Sequence, residues 1–325
     1  MPHHEESLQR RWRGLIVSVV LASVGYLAFA LWGGWHEVSA AVVHVGALGW
    51  LALLGLSLVN YGLRFWRWQI YLRCLGSPQP WRPSLRIYLA GFALTTTPGK
   101  AGELIRGVFL RQRGVPGVHT VAAFVSERLA DLVAVLLLTC IGLSGHPEVW
   151  PLLVGAAVLC VLVLALVRSA PLLQRWQSGL GDARLARVTR RTLELLQGAA
   201  ACHRGPVLLQ AMGLSVVAWT AEAYALHLLL QWLELPTTFG FSFLVYAVGM
   251  LAGALSFLPG GLGGTEAAML ALMMAAGHPR AQAVAATVVI RITTLWFAVV
   301  LGLLALLPML RRPQAQRRSP GVPAA

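Results

Sequence analysis

Charge is scarce in this sequence. Only 12% of its 325 residues are Asp, Glu, Lys or Arg, about half the ~25% typical of a soluble domain, and this excludes an ordinary water-soluble globule. Acidic residues are the rarer kind, 12 against 26 Lys and Arg. The resulting net charge of +14 does not indicate nucleic acid, because the cations flank apolar runs instead of forming a patch. Cysteine is also sparse. Cys74, Cys140, Cys160 and Cys202 show no C-x-x-C spacing, and no H-E-x-x-H occurs, so no metal or other cofactor is expected. The Gly-rich "GGLGGT" lacks the G-K-[ST] that would make it a nucleotide loop.

What the chain does have is uncharged length. Residues 14–35, 38–63 and 149–167 carry no charge over 22, 26 and 19 residues, and a helical crossing needs ~20. Together with 119–143, 206–233 and 281–310 they predict six crossings. The first follows "QRRWR" and lacks a small-residue cleavage site, so it reads as a retained anchor. Arginines collect on one side of these crossings, seven of them between Arg168 and Arg204, whereas "GGWHEVSA", "SGHPEVW" and "ELPTTFG" have no Lys or Arg. The asymmetry predicts that both termini are cytoplasmic, in the inner membrane. Tyr61, Arg64, Phe65, Trp66, Arg67 and Trp68 read as an aromatic and basic anchor belt at the cytoplasmic interface.

Two apolar pieces do not fit as crossings. Residues 87–99 are too short and run into "TTTPGKAGELIR" at 95–106; residues 235–265 are broken by Pro236, Pro259 and seven glycines. Each predicts a re-entrant helical hairpin, one entering from the cytoplasm and one from outside, with broken backbone buried in protein. The break motifs are Pro98, Gly99 and Gly102, then Pro259, Gly260, Gly261, Gly263 and Gly264.

The two pieces correspond. The interval from Glu103 to Glu266 equals that from Arg128 to Arg291, and "AAFVSERLADL" weakly matches "AATVVIRITTL". Each half has three crossings, so the second is upside down relative to the first. Inverted repeats with broken helices at matching positions mark transporters with a midplane site. The expected fold is therefore an all-α polytopic membrane protein. A cytoplasmic segment 1–13 precedes a membrane domain 14–310, made of repeat one (14–148) and repeat two (149–310). A cytoplasmic amphipathic loop, 168–205, interrupts the second repeat, and a disordered basic tail, 311–325, follows.

Charged residues within such a fold are the site candidates, because burying them in a membrane is costly. After the break at Pro98 a new helix begins near Ala101. Its unpaired N–H groups, with Lys100 and Arg106, form an anion site suited to phosphate. Glu103 is placed either to cap that helix or to pair internally. Glu127 and Asp131 share a face of one crossing, and Arg128 is spaced to pair with Asp131. Arg291 needs a carboxylate, from Glu266 or Glu222. Glu222 has only distant His227 on its own helix and is the candidate for coupling to protonation. Substrate contact and structural ion pairing both remain open for these side chains.

"TPGKAGELIRGVFLRQRG", "ERLADL", "LPGGLGGTEAAMLALM" and a late helix carrying Arg291 and Trp296 together resemble the membrane domain of lysylphosphatidylglycerol synthases, over roughly residues 10–310. The resemblance implies a lipid-translocating, flippase-like domain. Its motif residues would be Pro98, Gly99, Gly102, Glu103, Arg106, Glu127, Arg128, Asp131, Pro259, Gly260, Gly263, Glu266 and Arg291. It also implies an anionic lipid or polyprenyl-phosphate-type substrate and a separate lipid-modifying enzyme as partner. Full synthases carry a soluble catalytic domain after the membrane part, whereas here fifteen residues follow the last crossing, so this chain is not expected to be an enzyme. The alternative is a membrane subunit of an enzyme that modifies lipids or lipid-linked glycans.

Overall fold

The computed structural model describes residues 25, 26, 28, 34–96, 105–143, 150–168, 183–235, 237–256 and 258–311. All regular structure among them is helical. A stretch at 34–44 leads into α1 (Gly46–Cys74), followed by α2 (Trp81–Phe92), α3 (Ile105–Arg111), α4 (Gly117–Ile141), α5 (Trp150–Arg168) and α6 (Ala183–Cys202). Then come α7 (Gly205–Trp232), α8 (Phe239–Leu255), α9 (Gly264–Ala275), α10 (Arg280–Arg291) and α11 (Phe297–Arg311), with a π turn, Ile292–Trp296, joining the last two.

Among the described residues, three helices are long and apolar enough to cross a membrane: α1, α7 and the continuous Arg280–Leu310 rod. Their apolar side chains point outward as well as inward. Leu48, Leu51 and Leu58 of α1 and Val300, Leu304 and Leu307 of α11 are exposed, while Ser57, Asn60, Arg64 and Arg67 are buried. A greasy exterior around a polar interior is stable in lipid and costly in water.

Two sequence expectations need correction here. "GGWHEVSA" is not a loop between crossings: residues 34–44 are helical, and the chain turns instead at Gly46, whose φ of 62° suits glycine. Nor does the next helix stop at Leu63. No Gly or Pro follows Gly62 until Gly76 and Pro78, so α1 runs on to Cys74 and carries the supposed anchor belt into the interior. Tyr61, Arg64, Arg67 and Trp68 are all buried, and only Trp66 is well exposed.

The two anomalous pieces each form a pair of packed helices whose outer ends meet. At the ends of the α2–α3 element, Arg113 Nε donates to Gln79 Oε1 at 3.3 Å. At the ends of α8–α9, the Phe241 and His278 rings lie 6.3 Å apart. These two mouths lie at opposite ends of α4, a rod of 25 residues and so ~37 Å long. Its start bonds to the first mouth (Ser77 Oγ to His119 Nδ1, 2.8 Å). At its end, Gly142 touches Gly240 so closely that an added Cβ would stand 2.2 Å from the Gly240 carbonyl. The inner ends of the two elements meet between the mouths. A Cβ on Gly260 would lie 3.4 Å from Thr96 Cα.

Both elements also finish alike. The N–H of Gly114 reaches Arg111 O and that of Val115 reaches Leu110 O; Gly277 and His278 do the same to Met274 and Met273. These are Schellman turns with glycine at positive φ, 82° and 88°. Gly114 and Gly277 are separated by the same interval as Glu103 and Glu266, and so are the first residues of α4 and α10, Gly117 and Arg280.

α6 lies against α4 and α5. It buries Leu193, Leu196 and Ala199 and leaves Arg190 and Arg191 exposed, so part of the expected amphipathic surface helix is core. The tail and residues 97–104, the latter holding Pro98, Gly99, Lys100, Gly102 and Glu103, lie outside the described residues.

Candidate functional site

Asp131 is the centre of an interior ion network. Its Oδ1 accepts from Arg67 Nη1 at 2.8 Å and from the Trp219 indole at 3.0 Å. Its Oδ2 lies 3.2 Å from Arg64 Nη2 and 3.1 Å from Arg128 Nη2. One turn earlier on α4, Glu127 Oε2 accepts from Arg106 Nη1 at 3.0 Å, and its other oxygen is 3.8 Å from Arg67 Nη2. Four guanidiniums from α1, α3 and α4 thus meet two carboxylates. The described network carries a formal excess of two positive charges (4 − 2).

Arg106 is held by more than charge. Its guanidinium carbon lies 4.1 Å from the Tyr88 ring centroid and 5.4 Å from that of Trp68, a desolvated cation–π arrangement. Gly91 of α2 makes room for it, since a Cβ there would come within 2.4 Å of Arg106 Nε.

Among the described residues of the second half, Arg291 and Glu266 form a balanced pair. Arg291 Nε donates to Glu266 Oε1 at 2.7 Å, and Arg291 Nη2 donates to the Gly260 carbonyl at 3.0 Å. Glu266 Oε2 accepts from the Gly263 N–H at 2.7 Å, capping α9. Glu266 thus pairs with Arg291, as one of the two expected carboxylates, and caps α9 as well. The pairing of Arg128 with Asp131 holds as well.

Between the two charged groups lies a cavity of about 50 Å³ lined by Arg64, Arg291, Glu222, Tyr246, Tyr61 and Thr294, with Thr95 of the first tip at its edge. The Tyr246 hydroxyl donates to Glu222, and the Tyr61 hydroxyl donates to the carbonyl of Thr294 in the π turn. A π turn displaces carbonyls from the α register and often marks a functional site. Among the described residues, Arg64 and Arg291 are the cations on this wall, and Arg106 does not line it.

Sequence reasoning missed Arg64, Arg67, Trp219, Tyr246 and Tyr61. The signal was present: Ser57, Asn60, Arg64, Arg67 and Tyr71 recur at three- and four-residue steps, the period of one helix face.

A model of the lysylphosphatidylglycerol synthase transmembrane region matches residues 15–302. The chain belongs to that family. Among its relatives, a UPF0104 membrane protein of Methanothermobacter thermautotrophicus is 24% identical over 304 residues, covering 85% of this chain and 88% of the relative. Another UPF0104 membrane protein, from Pyrococcus horikoshii, is 22% identical over 245 residues, covering 66% and 73% respectively. Every described site residue lies inside the matched region, and the chain is, like this family, a multi-pass integral membrane protein.

Proposed function

We propose that this protein moves an anionic lipid, or a lipid-linked phosphate, between membrane leaflets. The observation that carries the reading is the excess of cations at the cavity where the two broken elements meet. A buried guanidinium at membrane depth costs ~2.5–3.5 kcal/mol or more unless compensated. The described network sets four guanidiniums against two carboxylates, with Glu222 across the cavity from Arg64, and the positive charge left over at the mid-length of the bundle suits an anion that comes and goes. Guanidiniums grip phosphate with paired hydrogen bonds, and both Arg64 and Arg291 line the cavity.

In this reading the elements α2–α3 and α8–α9 are re-entrant hairpins, one from each face of the inner membrane, within six crossings whose termini are both cytoplasmic. The repeated interval between matching residues, the mouths at opposite ends of α4 and the touching tips support an inverted repeat. A cavity of about 50 Å³ holds a few waters and no headgroup. The form described here is then the closed one, and the hairpin tips are the moving parts. The protein works as a carrier beside a separate lipid-modifying enzyme, with no catalytic step of its own.

The test uses the purified full chain in phospholipid vesicles with tail-labelled fluorescent lipids and an impermeant quencher. A phosphatidylglycerol analogue should cross at least about tenfold faster than in protein-free vesicles, the equivalent of one charged hydrogen bond; a phosphatidylcholine analogue should not. Equal rates with and without protein for both lipids would overturn the proposal.

A further inference from the structure

Among the described residues, four hydroxyls line the central cavity: those of Tyr61, Tyr246, Thr294 and Thr95. Three are committed as donors within the fold. Tyr61 donates to the Thr294 carbonyl, Tyr246 to Glu222, and Thr294 Oγ1 to the Ile290 carbonyl at 2.8 Å. The indole N–H of Trp219, on the same wall, is taken by Asp131. Thr95 differs. It is 8% exposed, and its Oγ1 is buried with no hydrogen-bond partner among the described residues. The fold does not need that hydroxyl to place the residue. Beyond α2 the chain tightens into turns in which the N–H groups of Ala93, Leu94 and Thr95 reach the carbonyls of Ala90, Gly91 and Phe92. Gly302 of α11 lets this tip press against the rod, since a Cβ there would stand 2.1 Å from the Ala93 nitrogen. A valine at position 95 would fill the same space, and a buried hydroxyl without a partner is less favourable than an apolar group of its shape. An unpartnered hydroxyl on a cavity wall points to a partner that enters the cavity.

We infer that the Thr95 hydroxyl is a ligand contact, donating a hydrogen bond to an oxygen of a lipid phosphate seated against Arg64 and Arg291. The inference rests on the carrier reading and adds a residue to that site. The oxygens of an ionised phosphodiester accept hydrogen bonds and do not donate them, and a threonine hydroxyl can turn its proton toward such an oxygen. Arg64 comes from α1, Arg291 from the end of α10 and Thr95 from the tip of the α2–α3 element. The phosphate would thus join three separate elements, and the bond from Thr95 would tie the tip of the first hairpin to the headgroup it carries. No covalent bond changes and no proton is transferred. The bond forms only with the ligand in place, so its whole worth falls on affinity and none on the stability of the free protein.

The experiment is calorimetry of dihexanoyl-phosphatidylglycerol binding to the detergent-purified full chain, with thermal unfolding of each variant alongside. Thr95→Val should bind the lipid at least about tenfold more weakly than wild type, the worth of one hydrogen bond to a charged group, and should melt no lower than wild type. Thr95→Ser, which keeps the oxygen, should bind at close to the wild-type affinity. Inorganic phosphate, titrated in the same way, should bind far more weakly than the lipid. Wild-type affinity in Thr95→Val would overturn the contact, the hydroxyl then serving cavity water alone, and would leave the carrier reading standing. A clearly lower melting temperature for Thr95→Val would put the partner of the hydroxyl within the fold and overturn the contact as well. A loss in Thr95→Ser equal to that in Thr95→Val would overturn the role of the oxygen. Inorganic phosphate bound as tightly as the lipid, with the same loss in Thr95→Val, would support the contact and overturn the lipid reading. No binding of either probe to wild type would overturn both.

Discussion

Arg128 and Arg291 occupy matching positions, each eleven residues beyond the first residue of its helix (117 to 128, 280 to 291), yet they live differently. The Arg291 side chain is 3% exposed and matched one to one by Glu266 from a hairpin tip; that of Arg128 is 25% exposed and only one of three arginines on Asp131. In the second half, tip and crossing are locked together by a balanced pair with a backbone carbonyl added. In the first half, the acids stand on the crossing itself, and the cations come to them from α1 and α3. The comparison teaches that matched positions in two similar halves divide the work: one neutral fastening and one reservoir of positive charge.

The largest effect that would break this contrast is on the fastening. Arg291→Ala leaves Glu266 ionised and buried, and removing one partner of a buried pair costs about 3–5 kcal/mol. Thermal unfolding in detergent should show that loss, and the Glu266→Ala, Arg291→Ala double variant should recover more than half of it. A double variant no more stable than either single one would mean that the pair is not a closed unit.

The matched substitution in the first half sharpens the contrast with a smaller effect. Arg128→Ala removes a partly exposed i, i+3 contact from an acid that keeps Arg67, Arg64 and Trp219, so it should cost about 1 kcal/mol or less. The same melting experiment checks it. A loss as large as that of Arg291→Ala would erase the distinction between the halves.

Much of this is legible in the sequence, for identifiable reasons. The crossing at 206–233 can be read almost to the residue because α7 is long and predominantly apolar and runs from Gly205 to Trp232. The rod at 281–310 is equally plain, and so is the ion pair of Arg128 and Asp131, since spacing alone fixes a contact on one helix. For Arg291, the scarcity of carboxylates narrows the partner to two candidate acids. Composition does not reveal that Arg64 and Arg67 face inward. A cluster of arginines and aromatics just past an apolar run looks the same whether the helix ends at the interface or continues. The turn at Gly46 is hidden in the same way, because a loop of His, Glu and Ser and an exposed helical turn share one composition. The cavity and its lining are products of packing between α1, α2, α7, α8 and the α10–α11 rod, and no local pattern encodes them.

Transport by Arg64→Gln tests the central claim most directly. Arg64 is the cavity-facing member of the cation surplus, and Asp131 keeps Arg67 and Arg128 when it is lost. At equal amounts of folded protein in vesicles, the variant should move the phosphatidylglycerol analogue at least about tenfold more slowly than wild type, the worth of one charged contact to phosphate. An unchanged rate would show that the surplus charge plays no part in carrying the lipid.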